Sequence, residues 1–531
     1  MASEASRPAH TPDPARTPDD PAHTPDRPRC GDAPRPSDVP RSAGPVGPVG
    51  PAGPAGAPDR SDEGARPLGE SEALAHVAAR CLTPGPPTRT GVELEWLVRR
   101  RDDPAAAVPP DASGAALARL TGGGRLPGGG RLTREPGGQV EISSAPAASL
   151  AACVAATRAD LERLRAALAD AGLAAGGLGL DPFRDPPRVL DHPRYRAMER
   201  FFDRQGPAGR LVMRATASVQ ISLDAGEDTE GPHGYRARWV LAHRLGPVLT
   251  AAFANSPLRL GRPTGWRSTR QALWARVDPG RTRPATPGDA DGEDPRALWA
   301  RYALDASLLC VRRPAPASWN APPAHSFRSW LRGRDTGDGR GTGGRRPLSP
   351  GAAGAPADAG PHAPGRDDLD YHLGTLFPPV RPRGWLELRM IDAQPDDGWI
   401  VPLAVAAALM DDRRAAEAAW RATEPLTRGR ALPALDVWLR AARHGPSDPE
   451  IGPAVRACFA AADAALARQP GARELRDAVG AFADRYAERG RCPADDQLDA
   501  LEARAPGRTA PTAPQGRRRH PRRLAAQEAT E

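Results

Sequence analysis

An α+β fold is predicted for this 531-residue chain, with antiparallel strands before residue 400 and a helical part after it. Three observations predict it. Four short segments between residues 91 and 392 alternate apolar and polar side chains with the period of two that a half-buried strand requires. After residue 400 apolar residues recur at helical spacing instead, between Gly and Pro breaks. Every aromatic residue lies between Trp96 and Tyr486, and buried rings supply much of a core, so the folded part belongs near that interval.

Residues 1–68 repeat PAHTPD at 8–13 and 21–26 and place Gly at every third position from Gly44 to Gly56. The triplets are too few for a triple helix, so this Pro-, Ala- and Gly-rich stretch is expected to be a disordered tail. The folded domain is expected over 69–504. Its first strand is GVELEWLV (91–98). The glycine runs at 122–124 and 128–130 read as a flexible loop rather than a phosphate cradle, because no Ser/Thr-and-Lys helix start follows them. GGQVEISSAP (137–146) is the second strand. Leu150, Val154, Leu161, Leu164 and Leu168 then space out a helix over 150–173, and RYRAMERFFDRQ (194–205) another, stopped by Gly206. RATASVQISLD (214–224) and GWLELRMID (384–392) are the third and fourth strands. Residues 331–366, poor in apolar side chains, read as a disordered insertion inside the domain, since strand-like segments lie on both sides. Helices are expected at 402–422, 431–443, 452–468 and 471–489, and a disordered Arg-rich tail at 505–531.

Composition excludes several chemistries. The chain carries a net charge of +8 and contains no lysine, so a GxxxxGK[ST] phosphate loop and any lysine nucleophile or Schiff base are ruled out. The cysteines at 30, 81, 153, 310, 458 and 492 form no CxxC pair and signal neither zinc nor a disulfide framework. The N-terminus has no apolar signal region, and the longest nearly apolar run, 402–410, is too short to span a bilayer, so a reduced, cytoplasmic protein without membrane contact is expected. Nucleic-acid binding would rest on Arg517, Arg518, Arg519, Arg522 and Arg523 alone, and such a run is more often a solvated tail; no nucleic-acid partner is expected.

The polar faces of the strands carry the candidate chemistry. Residues two apart share a face, so Glu93 and Glu95 oppose Val92, Leu94 and Trp96; Gln139, Glu141 and Ser143 oppose Val140 and Ile142. Arg214, Thr216, Ser218, Gln220, Ser222 and Asp224 oppose Val219, Ile221 and Leu223; Glu387 and Arg389 oppose Leu386, Leu388 and Met390. For any one strand, a core face and a water face suffice as an explanation. A Glu pair at i, i+2 is repulsive, however, and Glu is depleted in strands. In one sheet Glu93, Glu95, Glu141 and Glu387 converge, and such a cluster needs cations. Oxygen ligands without Cys or His point to Mg²⁺ or Mn²⁺. Arg214 and Arg389 share these faces, and Arg270 and Arg281 follow in a turn-rich stretch; guanidinium forks beside metal-bound carboxylates suit a nucleoside triphosphate and an acidic substrate, although Arg270 and Arg281 serve equally well as partners of surface acids.

The phrases TREPGGQVEISSAP, RATASVQISLDAG, ANSP with GWRSTRQALW and DPGRT, and LFPPVRPRGWLELRMIDAQP, in this order, resemble the plant-type and bacterial glutamate–cysteine ligases, nearest their ergothioneine-pathway branch in high-GC bacteria. The resemblance spans about 70–490. It implies a curved antiparallel sheet of the glutamine-synthetase type, forming an active-site funnel with helices outside. It implies ligation of L-glutamate through its γ-carboxylate to the amine of L-cysteine, with ATP and Mg²⁺, by way of a γ-glutamyl phosphate. By resemblance Glu93, Glu95, Glu141, Glu387 and, less directly, Glu135 bind metal. Gln220 lies near metal and nucleotide, Arg389 near the transferring phosphoryl group, and Arg214, Arg270 and Arg281 at phosphate or substrate carboxylate. A sister ligase using another amine, or a relative that binds without turnover, fits the same residues.

Overall fold

Among the described residues there are nine strands: β1 (Thr90–Arg100), β2 (Arg131–Arg134), β3 (Val140–Ser143), β4 (Leu173–Gly176), β5 (Ser218–Asp224), β6 (Leu258–Arg259), β7 (Arg262–Pro263), β8 (Val380–Pro382) and β9 (Trp385–Asp392). Of these, β1, β3, β5 and β9 form where the alternation lies. The computed structural model describes residues 66–121, 126–285, 292–333 and 362–504, all within one unit. Seven strands make one antiparallel sheet in the order β2-β3-β1-β5-β9-β8, with β4 on β1; β6 and β7 form a separate hairpin. β1 is long enough to serve three partners: β5 along Thr90–Leu94, β3 along Glu93–Trp96 and β4 along Leu97–Arg100.

One face of the sheet is apolar. Val92, Leu94, Trp96, Val140, Ile142, Val219, Ile221, Leu223, Leu386, Leu388 and Ile391 are all buried, and the helices Leu150–Asp170, Tyr235–Ala252 and Ile400–Asp411 pack with them in the main core. Because directly opposed residues share a face, the register sets the other side. Glu95 opposes Glu141, Glu93 lies between Ser143 and Gln220, and Ser222 opposes Glu387. A β-bulge interrupts the β5–β9 ladder: Val219 pairs with Ile391 but Ile221 with Leu388, so Arg389 and Met390 together face Gln220.

Several expectations need correction. The third strand starts at Ser218, not at 214: Arg214 ends the helix Ala208–Arg214, whose backbone hydrogen bonds satisfy that stretch first. Gln139 precedes β3, and its buried amide donates to the Thr216 carbonyl (2.9 Å) instead of joining the polar face. The helix expected at 402–422 is two, Ile400–Asp411 and Arg413–Thr427, because extended Asp412 caps the second by accepting from Ala415 N (2.8 Å). The loop at 128–130 is a fixed turn: Asp160 accepts from Gly128 N (2.5 Å) and Gly130 N (2.9 Å), so a carboxylate already holds those amides. Of the segment 331–366, Leu331 is buried at the end of the helix Phe327–Arg332 and Gly365 caps the helix Arg366–Leu373; 334–361 lie outside the described residues, as do the tails 1–65 and 505–531. Cys81, Cys153, Cys310, Cys458 and Cys492 are buried free thiols. No described helix is long and apolar enough to cross a membrane.

Candidate active site

The polar face divides into an acidic half and an arginine half. On the acidic side, Glu95 accepts from Ser218 Oγ (2.8 Å) and Gln220 Nε2 (2.9 Å), while Glu141 accepts from Thr133 Oγ1 (3.1 Å) and Ser143 Oγ (2.9 Å). Glu135 opens the turn between β2 and β3, which closes by Gly138 N to Glu135 O (2.9 Å); Gly138 takes φ +89°, the conformation for which a Pro-Gly-Gly turn supplies glycine. That turn brings Glu135 close enough to Glu141 for each carboxyl to act on the other. Burial and like charge both favour the protonated form here. Burial and then Glu387 push Glu93 up to about 7; burial and then Glu95 push Glu135 up to about 7. Glu141 is raised well above the usual carboxylate range by burial and by Glu93, Glu135 and Glu95.

On the arginine side, burial alone would raise Glu387, but Arg381, Arg389 and Arg383 override it and hold its carboxyl far below the usual range. Arg381 forms a fork onto Glu387, with Nε to Oε2 at 2.5 Å and Nη2 to Oε1 at 3.0 Å. Arg389 Nη1 lies 3.2 Å from Glu387 Oε2 and also donates to Gln220 Oε1, so the bulge aims Arg389 at the boundary between the halves.

The donor set on the acidic side fits a hard divalent cation: Glu93, Glu95, Glu135 and Glu141 offer only oxygens and repel one another. Among the described residues no three acidic, His or Cys side chains already stand in a metal-holding arrangement. Glu387, engaged by three guanidinium groups, borders the acidic half, where its charge acts on Glu93. A test follows from the raised carboxyls. Relative to their ordinary 4.5, Glu93 and Glu135 at about 7 bind protons more tightly in the folded chain. Metal-free protein should therefore lose stability as pH rises from about 4.5 to about 7, and Mg²⁺ should restore it at the upper end. Thermal melts with chelator and with Mg²⁺ at pH 5 and pH 7.5 read this directly; a Mg²⁺ shift no larger at pH 7.5 than at pH 5 would contradict it.

Two of the expected arginines are elsewhere. Arg214 pairs with Glu199 (Nε to Oε1, 2.8 Å) at a helix end. Arg281 is wholly buried, bonded to Asp278 Oδ2 (3.1 Å), Thr375 Oγ1 (2.9 Å) and the Ser307 carbonyl, and stacked 5.0 Å over Phe201. Its donors are consumed by the fold. Arg281→Ala is expected to destabilise the protein by about 3 kcal/mol or more, through the uncompensated Asp278 and open carbonyls; Arg214→Ala should keep kcat within about twofold. Melting and steady-state rates check both. Arg270 does adjoin the site: its Nη2 donates to the Arg389 carbonyl (3.0 Å), and it lines a cleft with Trp274, Phe377, Trp438 and Arg389.

Arg194, Tyr195, Arg381 and Arg383 were not singled out from sequence. Arg194 and Tyr195 begin the helix Pro193–Asp203 and reach the acidic half: Arg194 lowers the Glu135 carboxyl, and Tyr195 feels Glu135 and Glu141. Arg194 donates from Nη2 to Gly374 O (2.9 Å), and its Nη1 has no hydrogen-bond partner. Helical periodicity gave no signal for them. The Arg-Pro-Arg at 381–383, which runs from β8 into the turn before β9, was a signal for Arg381 and Arg383, since that tight turn pairs Arg381 with Glu387.

A sheet face of clustered glutamates beside converging arginines suits chemistry on phosphate and carboxylate, and the comparisons agree. The glutamate–cysteine ligase family 2 pattern matches residues 89–520, and the chain belongs to that family. It is 40% identical over 454 residues to the glutamate–cysteine ligase EgtA of Mycolicibacterium smegmatis, covering 84% of this chain and 96% of that one. It is 38% identical over 436 residues to EgtA of Mycobacterium tuberculosis, covering 82% and 90%. The chloroplastic glutamate–cysteine ligase of Nicotiana tabacum is 30% identical over 269 residues, covering 50% of this chain and 46% of that one.

Proposed function

We propose that this protein is an ATP-dependent ligase that joins the γ-carboxylate of L-glutamate to the amine of L-cysteine, and that its product, γ-glutamylcysteine, feeds ergothioneine synthesis in the cytoplasm. Family membership supports the activity, and the division of one sheet face into four mutually repelling glutamates and an arginine cluster is the observation that carries the mechanism. The finer fold reading is a curved glutamine-synthetase-type sheet whose polar face lines a funnel; helices against the apolar face support it. The catalytic domain is taken as 69–504, with 1–68 and 505–531 as tails and about 331–366 as an insertion.

A carboxylate is a poor electrophile, because oxide would have to leave. Transfer of the γ-phosphoryl group of ATP to the glutamate γ-oxygen makes an acyl phosphate and releases ADP; the neutral amine then attacks the acyl carbon, phosphate leaves, and the nitrogen gives up a proton as the amide forms. The first step needs positioning and charge neutralisation more than covalent help. Glu93, Glu95, Glu135 and Glu141 would hold Mg²⁺, which when bound neutralises and orients phosphate oxygens. Arg389, aimed at the boundary, stabilises charge on the phosphoryl group in flight, and Gln220 fixes its guanidinium against Glu95. Arg194, whose charge acts on Glu135, would serve to bind a substrate carboxylate. Phosphate release should require glutamate, cysteine, ATP and Mg²⁺ together, with the dipeptide detected by mass. Release with glutamate and another amine would move the assignment to a sister ligase, and none with any pair would refute a ligase.

A further inference from the structure

The last described helix, Pro493–Ala503, is bonded to the segment that braces the glutamates and arginines assigned to the reaction. Ala494 N donates to Ala254 O (3.0 Å), Asp495 pairs with Arg267 (2.7 Å), and Gln497 Nε2 donates to Asn255 at Oδ1 (2.6 Å) and at O (3.2 Å). Asn255 is 1% exposed and spends both amide hydrogens on carbonyls, Gly177 (2.9 Å) and Ala393 (2.8 Å), so its Oδ1 can face only Gln497. Its backbone N donates to Asp392 Oδ2 (2.9 Å).

Asp392 ends β9, three residues beyond Arg389. It collects Ser256 Oγ (2.7 Å) on Oδ2 and Ser268 Oγ (2.9 Å) on Oδ1, and Arg270 Nη1 lies 3.7 Å away. The socket has no slack: a Cβ on Gly179 would stand 2.5 Å from Asp392 Cγ. From the same socket Ser256 Oγ accepts Arg270 N (3.2 Å), while the side chains of Arg270 and Gln271 hold the carbonyls of Arg389 (3.0 Å) and Met390 (3.0 Å). The bulge that aims Arg389 is thus pinned from behind at two carbonyls and at Asp392, and the outermost pin is Gln497.

We propose that Gln497 is a positioning residue for the ligase reaction proposed above: through Asn255 and Asp392 it fixes the bulged end of β9, and with it the direction of Arg389. Its loss leaves the buried Asn255 Oδ1 without a donor, while the Asn255 carbonyl keeps Gly179 N (3.1 Å), a defect of about tenfold in an equilibrium. Because Arg389 acts on the transition state, that defect falls on kcat rather than on KM.

The experiment uses the full chain. Gln497→Ala should lower kcat about tenfold with KM for ATP, glutamate and cysteine within about twofold. Gln497→Glu, which sets a carboxylate against the Asn255 oxygens, should be slower still at pH 8 and recover relative to parent as pH falls and its carboxyl gains a proton to donate. Asp496→Asn is the control: it weakens contacts of the same helix with Arg485, Tyr486 and Arg491 but touches nothing in the Asn255 socket, and should match parent. Hydrogen exchange of a peptide covering 386–392 should quicken in Gln497→Ala and not in Asp496→Asn, a readout that needs no substrate. Unchanged kcat or exchange in Gln497→Ala, or equal losses in both variants, overturns the proposal. Parent protein without glutamate- and cysteine-dependent turnover refutes the ligase reading instead, and the exchange comparison still decides the role of Gln497.

Discussion

Arg389→Ala is expected to lower kcat by about three orders of magnitude, with the KM for cysteine changed no more than a few-fold. The side chain stands where the acidic and arginine halves meet, sharing Gln220 with Glu95 and Glu387 with Arg381. In the role proposed for Arg389, charge passes over that point only while the phosphoryl group moves, so the interaction would be strongest in the transition state and its loss read in kcat. Arg389→Lys should recover little, because an ammonium cannot fork between Gln220 and a phosphoryl oxygen. Steady-state kinetics against each substrate measure this. A fall of tenfold or less would remove Arg389 from the reacting centre.

Glu93→Gln should cost as much by a different route. Glu93 lies between β3 and β5 in the register; its charge is felt by Glu141, and it feels that of Glu387. The amide is isosteric but cannot serve as an anionic ligand, so kcat at ordinary Mg²⁺ should drop by several orders of magnitude and rise in part as Mg²⁺ is increased. The carboxyl of Glu141 should fall toward its usual range once a like charge has gone. Glu387→Gln is a less clean test, since it strands buried Arg381 and costs fold stability as well. A Mg²⁺ titration of rate and of melting temperature separates the two cases. An effect of Glu93→Gln below tenfold would withdraw its assignment to metal.

Alternation made the acidic face legible, because period two survives any arrangement of strands: Glu93, Glu95, Glu141 and Glu387 lie on the face that the sequence assigns them. The same rule misplaced Arg214 and Gln139, since alternation extends backward into residues whose backbone bonds go elsewhere. Arg281 had the right company in sequence, but whether a guanidinium is free depends on carbonyls such as Ser307, which only the folded chain brings near. Arg194 and Tyr195 were illegible for a related reason. A helix records which side is apolar and says nothing of which cluster its first turn meets. Neither the bulge nor the division between the two halves leaves a compositional trace.

The bulge separates shape from chemistry along β9. Arg389 and Asp392 have opposite parity in sequence, yet both lie on the polar side, because Met390 is the supernumerary residue between them. Excising Met390 would restore regular alternation with Glu387, Arg389 and Asp392 still on that side and Leu388 and Ile391 still in the core. The register shift of the strand is therefore carried by a residue whose side chain is buried in the core and adds no group to the site. Evolution, or a designer, can retune the aim of the arginine by adding or removing a single count, without spending any of the site's chemistry.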